Sequence, residues 1–136
     1  MPERKTLERA RKAKREGKAP TTQAGEFVRE EMEHIREGKH GARSTKQAIA
    51  IGLSKARRAG VKLKPPKKGQ ASARTRKSAS RAYRAGHSGT RKKPTAKRSR
   101  ATSRALKREP RRAASHKALS KQARSAATRR RRRAIG

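Results

Sequence analysis

Leucine, isoleucine, valine and phenylalanine supply only 12 of the 136 side chains, and tryptophan is absent. That is far below the ~20% under which highly charged chains tend to stay unfolded. Alanine, with 24 residues, makes up most of the apolar fraction. It favours helix but removes little surface from water. A chain so composed makes helices readily and has little material for a conventional core. The expected class is mainly α: a small helical hairpin followed by a long basic tail that is largely disordered or only conditionally helical.

Charge narrows the partners. Lys and Arg number 44 against nine acids, Asp is absent, and the formal net charge is +35. Eight of the nine acids lie at or before Glu37, and only Glu109 follows. From residue 69 onward 24 cations face that one carboxylate, a net +23. Such a polymer needs a polyanion, and the abundant cellular ones are DNA and RNA. The expected partner is nucleic acid, with DNA favoured over RNA.

Three parts are expected: a basic arm with a short helix over 1–20, a hairpin core over 21–64, and a low-complexity tail over 65–136. In the arm, Thr6 is placed to cap a helix ending at Gly17. Ala24, Phe27, Val28, Met32 and Ile35 share one face of a helix over 22–37. Ser44-Thr45-Lys46-Gln47 reads as a capping box opening a helix to Ala59. Its apolar stripe is Ala48, Ile49, Leu53 and Ala56. Gly60 is placed for a left-handed stop, with Val61 packing back on Ala56. Val61 to Lys64 alternates like a short strand before Pro65-Pro66. In the tail, helix-prone stretches occupy 71–85, 95–108 and 110–133. Gly86, Gly89 and Pro94 separate the first two, and Pro110 opens the third.

The stretch from Glu26 to Gly60 resembles an uncharacterised bacterial family, a domain of unknown function. The residues that carry this are the Lys39-His40-Gly41 turn and the Lys46-Gln47-Ala48-Ile49-Ala50-Ile51-Gly52-Leu53-Ser54 helix. The resemblance implies a bacterial source and brings no activity, cofactor or catalytic residue. The tail is similar in composition to those of bacterial linker-histone-like proteins, though richer in Arg (26) than Lys (18).

Enzymatic chemistry has no candidate: there is no Cys, no Asp and no glycine-rich phosphate loop. No cofactor or small-molecule substrate is expected. Glu30 and His34 are spaced i,i+4, with His40 nearby, but match no established metal motif; the expectation is surface polar residues and no metal. The apolar run Ala48–Leu53 is too short to span a membrane, and no secretory signal is expected, since Met1 to Pro20 is basic without an apolar run.

The nucleic-acid-binding residues are expected to be Lys55, Arg57, Arg58, Lys62, Lys64, Lys67 and Lys68 beside the hairpin, and Arg129, Arg130, Arg131, Arg132 and Arg133 in the tail. Binding is expected to be to phosphates and indifferent to sequence, as in a histone-like, nucleoid-associated protein of the cytoplasm. An RNA-binding or ribosome-associated protein is the alternative. The acidic helix 26–37 is a possible surface for a protein partner.

Overall fold

The computed structural model describes residues 2–88 and 95–135. Among them are six helices: α1 (Arg4–Arg15), α2 (Pro20–Arg36), α3 (Thr45–Arg58), α4 (Ala73–His87), α5 (Ala96–Arg108) and α6 (His116–Ile135), with one 3-10 turn at Arg112–Ala114 before α6. The described residues contain no strand. The 61–64 segment is extended, but what holds it is the Arg57 guanidinium, which donates to the carbonyls of Leu63 (3.0 Å) and Lys64 (3.3 Å).

Local backbone rules set the helix ends. Ser44 accepts from the Gln47 amide at 3.2 Å. The Gln47 side chain reaches back to the Arg43 amide (2.6 Å), one residue beyond the usual capping-box partner. α1, α2 and α3 all stop in the same way. Gly17, Gly38 and Gly60 take positive φ, and the next amide returns to the carbonyl five residues earlier. Pro20 opens α2 in its first turn, where a missing N–H is harmless. Thr6 is not a cap. It lies buried inside α1 and donates to Glu30 Oε1 at 3.2 Å.

α2 and α3 form the hairpin, and a cluster sits at each end of it. At one end Ala10 of α1 packs with Ala24, Phe27, Ala56 and Val61, flanked by Leu7, Leu53 and Leu63. At the other, Met32, Ile35, Ala42 and Ala48 enclose Ala113 and Ala114, with Val28, Ile49 and Leu119 alongside. α4 lies along α3 and buries Ala79 and Ala82.

The expectation of a largely disordered tail is therefore corrected. α4 packs along α3, the 3-10 turn and the start of α6 dock on the hairpin, and α6 itself is a 20-residue helix. Three physical reasons combine. Alanine and arginine are among the best helix formers. Ser72, Thr95 and Ser115 each accept a hydrogen bond from an amide three residues on. The third reason is docking of the 3-10 turn. Thr45 Oγ1 donates to Ala113 O (2.6 Å), Arg36 Nε to Ala114 O (2.9 Å), and Arg111 Nη2 back to Arg36 O (2.6 Å). α6 accordingly begins at His116, and Pro110 serves instead as a carbonyl acceptor for the Ala42 amide. Gly86, read as a separator, lies inside α4. Gly89 and Pro94 lie outside the described residues.

The scarcity of large apolar residues is met by close approach. Among the described residues, ten of the fourteen buried apolar ones are alanine, and they lose no rotamer freedom on burial. Glycine lets backbones touch. A Cβ on Gly52 would stand 2.7 Å from Val28 Cα, and one on Gly86 1.8 Å from Arg57 O. At Gly41 the added Cβ would stand 1.8 Å from Glu109 O. Gly41→Ala is expected to weaken docking of the 109–114 segment by ~1–3 kcal/mol. Amide exchange checks this: the Ala42 amide should lose protection while that of Val61 keeps it.

Candidate nucleic-acid interface

α6 leaves the body of the protein after its first turns. Leu119 is half-buried against the hairpin, whereas residues 128–134 are exposed. At 1.5 Å per residue, its 20 residues extend about 30 Å. Lys117, Lys121, Arg124, Thr128 and Arg132 recur at three- and four-residue intervals and form one exposed strip. Grooves run beside that strip, lined by Lys121, Arg124, Ser125, Thr128, Arg129 and Arg132. They continue to the start of α3, where Arg43, Ser44 and Lys46 face α6. The N-terminus of α3 adds its partial positive charge there. Every lining group at this end is a cation, a hydroxyl, an amide or a small apolar residue.

Arg129, Arg130, Arg131, Arg132 and Arg133 are all exposed on α6. Arg58, Lys62, Lys64, Lys67 and Lys68 are exposed as well, at the far end of α3 and in the segment leading to α4. Two others serve the fold instead. Arg57 is buried on the extended segment, and desolvation lowers its pKa. Lys55 pairs with the buried Glu31 carboxylate. The expected residues thus separate into two regions and an internal pair. Arg43, Lys46, Lys117, Lys121 and Arg124 complete the α6 surface. For Lys117, Lys121 and Arg124 the sequence signal was only the three-to-four spacing of cations in a segment expected to lack order, and Arg43 and Lys46 flank the capping box without being marked by it.

The acids of α2 do not form an exposed face. Glu30 and Glu31 are buried, Glu26 and Glu33 half-buried, and Glu37 exposed. Glu30 Oε1 accepts from the Glu3 amide (2.5 Å) and from Thr6. Glu3 in turn accepts from His34 Nε2 at 3.0 Å and Lys39 Nζ at 3.4 Å. His40 Nε2 lies 3.2 Å from Glu31 Oε2, and the two imidazoles meet edge to face at 6.2 Å. The hydrogen bond from His34, helped by Lys39 and Lys5 against the cost of desolvation, holds the Glu3 carboxyl down at about 2. The stabilisation from Glu3 is intact above its ordinary value of 4.5 and is lost as pH falls towards 2. Sequence reasoning placed these acids at the surface because helical spacing alone does not show that α1 covers them.

Residues 11–68 match a family described as a family of unknown function, DUF6496. The match takes in the end of α1, all of α2 and α3, and the segment up to Lys68. No curated protein and no solved structure matches the chain. The matched region thus ends before α4, and the α6 strip lies outside it. No helix among the described residues is long and apolar enough to cross a membrane.

Proposed function

We propose that this protein binds duplex DNA through backbone phosphates, without reading sequence, and that it associates with the genome as a histone-like or nucleoid protein does. The observation that carries the reading is the exposed strip Lys117, Lys121, Arg124 and Arg132 on a protruding helix, joined by Arg43 and Lys46 at the α3 N-terminus. Cations and hydroxyls repeated along a straight helix suit a regular array of phosphates. Base-specific readers are scarce: the chain has no Asn. Stacking on unpaired bases has little support, since Phe27 is buried and Tyr83 is half-buried and stacks on His87 at 4.0 Å. That favours duplex over single strands.

Fluorescence anisotropy on random duplexes of equal length, at several salt concentrations, tests the proposal. With ~8 phosphates neutralised, log K should fall against log[salt] with a slope near −7. Affinity should differ little between sequences. A preference for one duplex of ~10³-fold or more at physiological salt would overturn the reading, since that is the scale of specific recognition. Tighter binding to folded RNA than to duplex DNA under the same conditions would replace it with an RNA-binding function.

A further inference from the structure

We propose that Glu31, His34 and His40 bind a divalent transition-metal ion of the zinc type, which clips the α2–α3 turn. One ligand atom from each of the three lies within 4.8 Å of the other two. Zinc takes carboxylate oxygen and imidazole nitrogen, commonly from three protein groups with a fourth position open. Glu31 and His34 stand i,i+3 on α2, a spacing that places a carboxylate and an imidazole on one helix face, and His40 comes from the turn that follows.

The hydrogen-bond pattern is a second, independent observation that points to a cation or a proton at this place. His40 Nδ1 lies 2.9 Å from the Gly41 carbonyl. A carbonyl can only accept, so Nδ1 carries a proton and Nε2 is the ring nitrogen left for a cation or a second proton. That nitrogen lies 3.2 Å from Glu31 Oε2. Glu31 is fully buried, and its Oε2 receives no hydrogen bond. The buried carboxylate oxygen and the ring nitrogen face each other, an arrangement that needs a cation or a proton between them. The His34 ring is itself fixed, its Nε2 on the Glu3 carboxylate. Imidazoles that bind metal are typically held through the far nitrogen in this way. A second set, Glu3, Glu30 and His34, overlaps the first through His34, and Glu30 Oε2 is also buried without a hydrogen bond.

Nearby cations oppose the ion but leave room for it. Lys55 occupies Oε1 of Glu31 and not Oε2. Lys5 and Lys39, which pair with Glu3, are each more than half exposed and can turn to solvent. The remaining positive charge of the chain is screened over about 8 Å at physiological salt.

The test uses the full chain, free of nucleic acid and stripped of metal. Titration with Zn²⁺ should give one ion per chain with a dissociation constant on the order of 1 μM or lower. Co²⁺ should give the visible bands of a tetrahedral site. His34→Ala and His40→Ala should each weaken Zn²⁺ by at least ~10-fold, and the melting temperature of neither should respond to the ion as the unaltered protein's does. The double variant His87→Ala/His116→Ala should bind normally. Imidazole NMR signals of the unaltered protein provide a readout that does not depend on variants folding: Zn²⁺ should shift those of His34 and His40 and not those of His87 and His116. Binding that survives the joint loss of His34 and His40 would overturn the proposal. So would the absence of stoichiometric binding by folded protein, which would assign the Glu31–His40 contact to a proton.

Discussion

Replacing Lys117, Lys121, Arg124, Arg129 and Arg132 together by Gln should take about 4.5 units off the salt slope of DNA binding, at ~0.9 per phosphate contact. At about 0.15 M salt that corresponds to a loss of affinity on the order of 10³-fold. All five side chains are exposed and line or border the grooves along α6. Gln matches Lys and Arg closely in helix propensity, and the exchange relieves repulsion among neighbouring cations, so α6 should persist. Unchanged helical circular dichroism beside the flattened slope would assign the loss to contacts. A slope reduced by less than two units would place the main DNA surface elsewhere. Arg58, exposed at the end of α3, gives an internal comparison. Arg58→Gln should lower the slope by at most about one unit. Arg57→Gln should lower stability and leave the slope alone, because Arg57 holds the carbonyls of Leu63 and Lys64.

Phe27→Ala should remove ~3–5 kcal/mol of stability, a large part of the ~5–15 kcal/mol typical of a folded protein. The ring is 1% exposed and packs among Ala10, Ala24, Ala56 and Val61. Small neighbours cannot spread into the space it leaves, so the cavity persists. The same ring holds α1 to the hairpin through the cluster it shares with Ala10. Urea unfolding followed by circular dichroism measures the effect, and a loss below ~1 kcal/mol would show that the alanine contacts hold the fold without the ring. Where the variant remains folded, its DNA salt slope should stay within about one unit of the unaltered protein's. α6 rests on the other cluster, around Met32 and Ile35.

Helix boundaries that depend on neighbouring residues were legible in the chain. Ser44 with Gln47 announced the start of α3, and Gly60 its stop, because capping and left-handed turns are settled within a few bonds. The stripe through Phe27, Met32 and Ile35 announced the buried face of α2. The unbroken positive charge after Glu37 likewise belongs to the sequence, and with it the expectation of a polyanionic partner.

The order of the tail could not be read the same way. Ala113 and Ala114 look like any other alanines of a repetitive segment, yet they occupy the cluster between α2 and α3 and are held by Thr45 and Arg36, which lie 68 and 78 residues away. Gly41 and Gly86 read as turn residues, but each is where two backbones touch. Glu30 and Glu31 read as a solvated acidic face until α1, the Lys39–Gly41 turn and α3 close over them. Sequence alone determined the ends of α3 and the sign of the field around the chain, since both follow from local bonding and summed charge. Tertiary structure decided which small residues are core and which charges are internal, because a close approach exists only once distant segments have met.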